Sequence, residues 1–174
     1  MQLEGERIYL RPWELSDQEQ LYELAKNPKI GLQAGWPPHK NVEESAYIIK
    51  EILTCWGFFA IIEKSSEKLL GCVNLLIGDS SNFDIGEQEG EIGYWIGEPF
   101  WGNGYATEAV DLIIDYGLEE LGLEQIWCGY FDGNTQSRRV QEKCGFIYDH
   151  TIEQVHTLFG EDKREIVMKL DLEG

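Results

Sequence analysis

A loop punctuated by glycines joins an expected strand to an expected helix within residues 91–109, and this segment constrains the fold more than any other. Gly102 and Gly104 have no Cβ, so the loop can adopt unusual backbone dihedrals and admit a ligand close to its amides. Successive backbone N–H groups ahead of a helix N-terminus bind anions. The segment therefore predicts a strand–loop–helix unit that holds a phosphate group.

This loop differs from two common phosphate-binding motifs. No lysine follows its glycines, which excludes the triphosphate motif G-x-x-x-x-G-K-[ST] and disfavours a nucleotide-phosphate hydrolase. The dinucleotide motif G-x-G-x-x-G also fails, because Gly104 is followed by Tyr105, Ala106 and Thr107 with no third glycine. We expect a pyrophosphate held by backbone amides and the helix dipole instead of by a cationic side chain.

A second segment, residues 134–146, predicts a helix that Asn134 caps and Gly145 ends. Together the two segments resemble the GNAT superfamily of acetyl-coenzyme A-dependent N-acetyltransferases. The nearest branch contains the bacterial ribosomal-protein N-terminal acetyltransferases, and the resemblance extends over essentially the whole chain, including residues 7–12. The family's acetyl-CoA loop, Q/R-x-x-G-x-G/A, is matched by Trp101-Gly102-Asn103-Gly104-Tyr105-Ala106, with Trp101 in place of the usual Gln or Arg.

The patterning and the resemblance predict an α/β (α+β) fold formed by one domain, residues 1–174. The expected sheet is mixed and largely antiparallel, with about seven strands, about four helices and a central βαβ unit that carries the cofactor site. A capping box at residues 16–19 is expected to open the first helix, which Asn27-Pro28 closes. Residues 31–40, rich in Gly and Pro, are expected to be irregular. Strands are predicted near residues 6–11, 57–63, 69–77, 89–96, 124–130, 147–156 and 164–170.

The resemblance implies a role for each site residue. The pantetheine arm should lie along the strand at Tyr94, Trp95 and Ile96, bonded to its backbone, with Asn134 as a further contact. The pyrophosphate should be held by Trp101, Gly102, Asn103, Gly104, Tyr105, Ala106 and Thr107. Arg138, Arg139 and Lys143 are cations that could reach the 3′-phosphate, although surface charges are the commoner explanation.

Transfer of an acetyl group requires a neutral amine, and an alkylammonium with a pKa of about 10.4 must first lose a proton. Glu87, Glu89 and Glu91 are spaced to share one strand face, where mutual repulsion would raise a pKa and favour proton uptake. Glu91 is the first choice, because it resembles in position the catalytic glutamate of the histone-acetyltransferase branch. A solvated strand end is the alternative.

The leaving thiolate needs a hydrogen-bond or proton donor. Many GNAT enzymes place a tyrosine seven residues after the helix-opening Asn, but here that position is Gln141. The ribosomal-protein branch suggests Ser137 as the substitute, with ordinary helix-face packing as its alternative. Since no cysteine is evidently positioned as a nucleophile, direct attack in a ternary complex is expected.

Charge and composition restrict the kinds of molecule that this chain is expected to bind. A formal net charge of −18 makes nucleic acid a poor partner and favours a cationic amine. No apolar run reaches the roughly 18 residues of a membrane span, and residues 1–6 do not resemble a signal peptide, so a cytoplasmic location is expected. The four cysteines lack C-x-x-C spacing, which favours reduced thiols and no metal site. Either a monomer or a homodimer is compatible with the sequence.

The acceptor is left open by the sequence. A protein N-terminus, such as that of a ribosomal protein, and a small cationic amine both suit the charge. The absence of the tyrosine at position 141 keeps an alternative class of function, a non-catalytic acyl-CoA-binding or sensor module.

Overall fold

The computed structural model describes residues 1–158 and 160–173, in which the strands form one eight-stranded sheet of order β1-β2-β3-β4-β5-β6-β8-β7. The strands are β1 Leu3–Glu4, β2 Ile8–Pro12, β3 Phe58–Glu63, β4 Leu69–Ile77, β5 Glu89–Ile96, β6 Gln125–Phe131, β7 Phe146–His156 and β8 Asp162–Leu170. The helices are α1 Gln18–Ala25, α2 Pro28–Ala34, α3 Val42–Ile48, α4 Tyr105–Asp115 and α5 Thr135–Lys143.

Neighbouring strands are antiparallel except for β5 and β6, which run parallel and are joined through α4. A parallel pair requires a crossover connection, and α4 supplies it. The expected mixed, largely antiparallel sheet with a central βαβ unit is confirmed. The structure adds the two-residue strand β1 and the helix α2 to the predicted elements.

Two apolar clusters cover the two faces of the sheet. On one face Val110 and Ile113 of α4 are fully buried against strand residues such as Ile126. On the other face Leu21 of α1 lies in a second cluster with Ile62 of β3. Each such side chain contributes about 1.5–3 kcal/mol by leaving water, so the βαβ unit is fixed from both sides.

The prediction that residues 31–40 are irregular is wrong for their first part, because α2 continues to Ala34. Asn27 caps this helix by accepting a hydrogen bond from the Lys29 N–H (3.0 Å), and Pro28 occupies its first turn. Proline fits a helix start as well as it ends a preceding helix. Gly35 then ends α2 in a left-handed conformation (φ 88°).

The capping box also lies elsewhere than predicted. Glu14, not Ser16, opens a short 3₁₀ turn, and the Glu14 N–H donates to Asp17 Oδ2 (2.9 Å). Asp17 is buried, and its carboxylate also pairs with Arg11 (2.7 Å), which compensates its charge.

Two further observations bear on the sequence expectations. Within residues 1–158 and 160–173, no helix combines the length and apolar character that crossing a bilayer demands. In the same residues, no three His, Cys, Asp or Glu side chains lie together as a metal site would require. The cysteines are free; Cys72 and Cys128 are buried, whereas Cys55 is exposed.

Candidate active site

The glycine loop leads from the end of β5 into α4, as predicted. Gly102 and Gly104 have positive φ angles of 78° and 79°, which a residue with a Cβ adopts only with strain. Trp101 closes the loop onto the strand, since its indole Nε1 donates to the Ile96 carbonyl (2.7 Å). Asn103 Nδ2 donates to the Phe100 carbonyl (3.0 Å), which tightens the turn.

The backbone N–H groups from Gly102 to Thr107 donate to no atom of residues 1–158 and 160–173. The first intrahelical donor of α4 is Glu108, which bonds the Gly104 carbonyl (3.1 Å). Gly104 stands at the N-cap and has no side chain to satisfy the first turn. Consecutive unpaired donors at the positive end of a helix dipole are suited to an anion.

Arg7, from the turn before β2, holds this loop from outside. Its Nη1 donates to the Asn103 carbonyl (2.7 Å), and its Nε pairs with Glu108 Oε1 (2.9 Å). The guanidinium carbon lies 4.5 Å from the centre of the Tyr105 ring. We call this set of contacts the Arg7 clamp, and it fixes the loop without using the unpaired amides.

Three cavities share lining residues and therefore form one continuous groove. The first, of about 450 Å³, lies between the loop and α5, and Arg139 and Lys143 line it. Arg138 instead pairs with Glu142 (3.1 Å) on the surface. The second, a neck of about 50 Å³, includes Ser137 in its wall. The third, of about 430 Å³, opens beyond the neck and includes Phe131.

The neck forms where β5 and β6 separate. Their pairing register ends at Ile92 with Cys128, and the Ile92 carbonyl faces β6, where it accepts from Cys128 Sγ (3.3 Å). Alternate residues of a strand present their backbone groups to the same side. Tyr94 therefore directs its N–H and C=O into the gap that β6 has left, and Trp95 and Ile96 line the same neck.

Ser137 reaches the neck from the first turn of α5. Asn134 caps this helix as predicted, because its Oδ1 accepts from the Ser137 N–H (3.1 Å). Its Nδ2 donates to Ser137 Oγ (3.2 Å) and so sets the orientation of the hydroxyl. Within residues 1–158 and 160–173, the serine hydroxyl donates to no acceptor, so its proton can be donated to a bound molecule.

Gln141, at the position of the expected tyrosine, is fully buried behind the neck. Its Nε2 donates to the Tyr94 hydroxyl (3.3 Å) and to the Gly129 carbonyl (2.8 Å), and the Tyr94 hydroxyl donates to the Ser137 carbonyl (3.2 Å). Burial raises the pKa of Tyr94. This network joins β5, β6 and α5 at the place where the strands diverge.

The predicted acidic face is partly formed. Glu89 and Glu91 lie on one face of β5, whereas Glu87 is exposed in the loop before the strand. Glu91 is 8% exposed, and its Oε1 accepts from the Ser81 hydroxyl (2.7 Å) and the Asn82 N–H (2.8 Å). Glu89 Oε1 accepts from the Trp127 indole (2.6 Å). These bonds hold both carboxylates in place.

Glu165 of β8 is a candidate that the sequence reasoning missed. Burial, and secondarily the charge of Glu91, raises the pKa of Glu165 to about 7. It pairs in register with Phe131, which lines the third cavity. No motif marks this position, and only the pairing of β8 with β6 brings it near Glu91.

Aromatic side chains lie near the neck and the third cavity. The Trp36 ring lies 5.9 Å from that of Trp95 in an edge-to-face arrangement, and it also packs on the second apolar cluster. Gly35 approaches the Phe131 ring, since an added Cβ would lie 3.2 Å from it. The loop after α2 therefore forms one side of the opening beyond the neck.

Comparison with known proteins agrees with this geometry. The family described as "Acetyltransferase (GNAT) domain" matches residues 7–147. The uncharacterized N-acetyltransferase p20 of Bacillus licheniformis is 31% identical over 146 residues, covering 81% of this chain and 79% of that protein.

Solved structures share the fold. A GNAT-family acetyltransferase from Bacillus anthracis superimposes with a TM-score of 0.85 at 22% identity, covering 98% of both chains. A putative ribosomal-protein-serine acetyltransferase from Vibrio cholerae gives 0.81 at 22% identity, covering 98% of this chain and 97% of that one. The chain belongs to the GNAT family of acetyltransferases, enzymes that take their acyl group from acetyl-CoA.

Proposed function

We propose that this protein, acting as one domain over residues 1–174, transfers the acetyl group of acetyl-CoA to a cationic primary amine by direct attack in a ternary complex. The observation that carries the proposal is the row of unpaired amides from Gly102 to Thr107 at one end of a groove. Asp132 and Phe131 line the other end of the groove. An anionic cofactor and a cationic acceptor would thus enter from opposite sides.

The cofactor would be held mainly by the backbone. The amides from Gly102 to Thr107 fit its pyrophosphate, with Trp101 fixing the loop in shape. The backbone groups of Tyr94 that face the gap between β5 and β6 suit the pantetheine arm, which would add to the sheet edge as a strand does. Trp95, Ile96 and Asn134 would complete this arm's surroundings.

Arg139 and Lys143 are the cations available to the cofactor's remaining phosphate. Both line the first cavity, and neither forms an ion pair with residues 1–158 or 160–173. Phosphate binding by two cations adds to the affinity in a salt-dependent way. Arg138, by contrast, is occupied by Glu142.

Two side chains are assigned to the chemistry. Glu91 would draw the ammonium to the site and promote the loss of its proton, directly or through water. The Ser137 hydroxyl would donate a hydrogen bond to the sulfur as negative charge develops there, which stabilises the departing thiolate. An acyl-enzyme route is disfavoured, since within the described residues the cavities are not lined by cysteine.

The acceptor is proposed to be a protein N-terminus or a small cationic amine. The net charge of −18 attracts and steers cations. The Vibrio cholerae structure named above, a putative ribosomal-protein-serine acetyltransferase, has the same fold and supports a ribosomal protein as one acceptor to test.

The test is release of free thiol from acetyl-CoA in the presence of amines. N-terminal peptides, polyamines and aminoglycosides are compared side by side, and the acetylated product is identified by mass spectrometry. Ser137→Ala should lower kcat by about tenfold to a hundredfold, the effect of losing one transition-state hydrogen bond, with little change in KM for acetyl-CoA. Arg138→Gln, which alters an exposed ion pair one residue away, is the control.

A sensor module gives a different result. It would bind CoA in calorimetry yet release no thiol with any amine of the panel. That outcome would refute the proposed transferase activity while leaving the cofactor groove intact.

A further inference from the structure

We propose that Glu165 is the group on which the acceptor's proton comes to rest, and that Glu91 is the fixed anion beside it. This inference rests on the proposed function, because it assigns the proton step of that reaction. The two carboxyl groups belong to different strands, Glu91 to β5 and Glu165 to β8, with β6 between them. They act together as one acceptor for one proton.

The position of Glu165 follows from strand register. It is paired with Phe131, a lining residue of the third cavity, and its side chain crosses β6 at Gly129. A Cβ added at Gly129 would overlap Glu165 Oε2 and would lie 3.0 Å from Phe83 Cζ. The Glu165 carboxylate therefore occupies the space that a side chain at Gly129 would fill. Gly129 is the residue after Cys128, where the pairing of β6 with β5 ends.

Hydrogen bonding distinguishes the two carboxylates. Glu91 accepts hydrogen bonds from Ser81 and Asn82, and these bonds hold its carboxylate in place. The Glu165 backbone pairs with β6 and β7, but within residues 1–158 and 160–173 its carboxylate accepts no hydrogen bond and forms no ion pair, although much of the side chain is shielded from water. A shielded carboxylate without donors, beside a second anion, takes up a proton readily.

The other charged groups around Glu165 are few. Cys128 of β6 is a buried neutral thiol whose pKa burial raises well above its ordinary value. Lys163, on the same strand face, donates instead to the Leu32 carbonyl (3.2 Å) and lies against the Phe131 ring. On β7, His150 pairs with Asp149. Arg164, next to Glu165 on β8, pairs with Glu153 and Asp132. Glu91 is the charged group that acts on Glu165.

The step balances as follows. The acceptor enters as an ammonium, and one N–H proton passes to the Glu165 carboxylate, giving a neutral amine and a neutral carboxylic acid. The amine lone pair then bonds the thioester carbon and the carbon–sulfur bond breaks. The second N–H proton goes to the sulfur, so the products are an amide and a thiol, and Glu165 returns its proton to water.

The first experiment measures the pH dependence of kcat/KM for the amine at saturating acetyl-CoA. The wild type should show an acid limb near the pKa of about 7 that burial gives Glu165. Glu165→Gln should abolish this limb and lower kcat by roughly a hundredfold, as loss of general-base catalysis does. Glu91→Gln should move the limb to lower pH. Glu153→Gln, which removes an exposed carboxylate on neighbouring β7, should leave the profile unchanged.

The second experiment needs neither cofactor nor amine. Carbon-13 NMR of labelled glutamate carboxyls follows the titration of Glu165 in the isolated protein, with Glu165→Gln used to assign the signal. The proposal is supported if the Glu165 carboxyl titrates near pH 7 and if its pKa is lower in Glu91→Gln than in the wild type. A Glu165 signal that titrates as in a free peptide, or an unchanged kinetic limb in a folded Glu165→Gln enzyme, overturns it.

The two proposals fail in different ways. If no amine is acetylated, the proposed function fails, and the NMR titration still reports on the carboxyl pair. If amines are acetylated and Glu165→Gln retains the full rate and the acid limb, the function stands and Glu165 has no part in the proton step.

Discussion

Gly102→Ala tests whether the unpaired amides of the loop bind the cofactor. Gly102 has φ 78°, and an added Cβ would meet nothing within 4 Å. The new methyl group thus strains the backbone by about 1–2 kcal/mol without striking the protein. Because Gly102 lines the first cavity, the methyl group is expected to hold a phosphate away from these amides.

The size of the effect can be estimated from the amides. A hydrogen bond to a charged group contributes about 1.5–3 kcal/mol. Loss of one such bond corresponds to about a tenfold to hundredfold rise in the Kd for CoA. Calorimetric titration of CoA measures this directly, and urea unfolding measures the stability of the same sample.

Gly122→Ala is the matched control. Gly122 is also exposed, has φ 66° and has nothing within 4 Å of an added Cβ, but it lies past the far end of α4. Both variants should lose similar stability, about 2–4 °C in Tm per kcal/mol, and only Gly102→Ala should lose CoA affinity. Equal Kd values for wild type and Gly102→Ala, or an equal loss in both variants, would refute the assignment of the loop.

Two further predictions concern stability and thiol reactivity. The pKa of Glu165 is raised from 4.5 to about 7 in the folded protein. Between pH 4.5 and about pH 7, the folded state therefore keeps a proton that the unfolded state has lost. The free energy of unfolding consequently falls as the pH rises through this range. In urea titrations above about pH 7, the free energy of unfolding of Glu165→Gln should exceed that of the wild type by up to about 3 kcal/mol. Below pH 4.5 the two proteins should be equally stable, and a difference that does not depend on pH would contradict this. In native protein at neutral pH, iodoacetamide should label Cys55 first, since burial raises the pKa of Cys72 to about 12 and that of Cys144 as well; equal labelling rates, read by peptide mass spectrometry, would contradict the burial.

The sequence predicted the parts of the fold that short-range chemistry dictates. The loop at Gly102 and Gly104 requires positive φ, and Asn134 is a helix cap by residue type, so both were readable without tertiary information. The Asn27-Pro28 pair was ambiguous, because proline suits the end of one helix and the start of the next. In the structure Asn27 caps a second helix, α2, and Pro28 lies in the first turn of that helix.

The acidic side of the site could be predicted only in part. Alternation along β5 placed Glu89 and Glu91 on one face, which is local information. The partners that fix them, Trp127 and the loop at Ser81, and the neighbouring carboxyl of Glu165 come from elements distant in sequence. Strand order and register determine these contacts, and no spacing along the chain encodes them.

The Arg7 clamp has a consequence for how the cofactor would be gripped. A glycine-rich loop left to itself would lose much backbone entropy on binding, at about 1–2 kcal/mol for each residue ordered. Arg7 already bonds both the Asn103 carbonyl and Glu108. The loop is therefore ordered when the protein folds, and its backbone entropy does not reduce the affinity for the cofactor. The opening strands of the chain, far from the reacting atoms, would thereby set how tightly CoA is held.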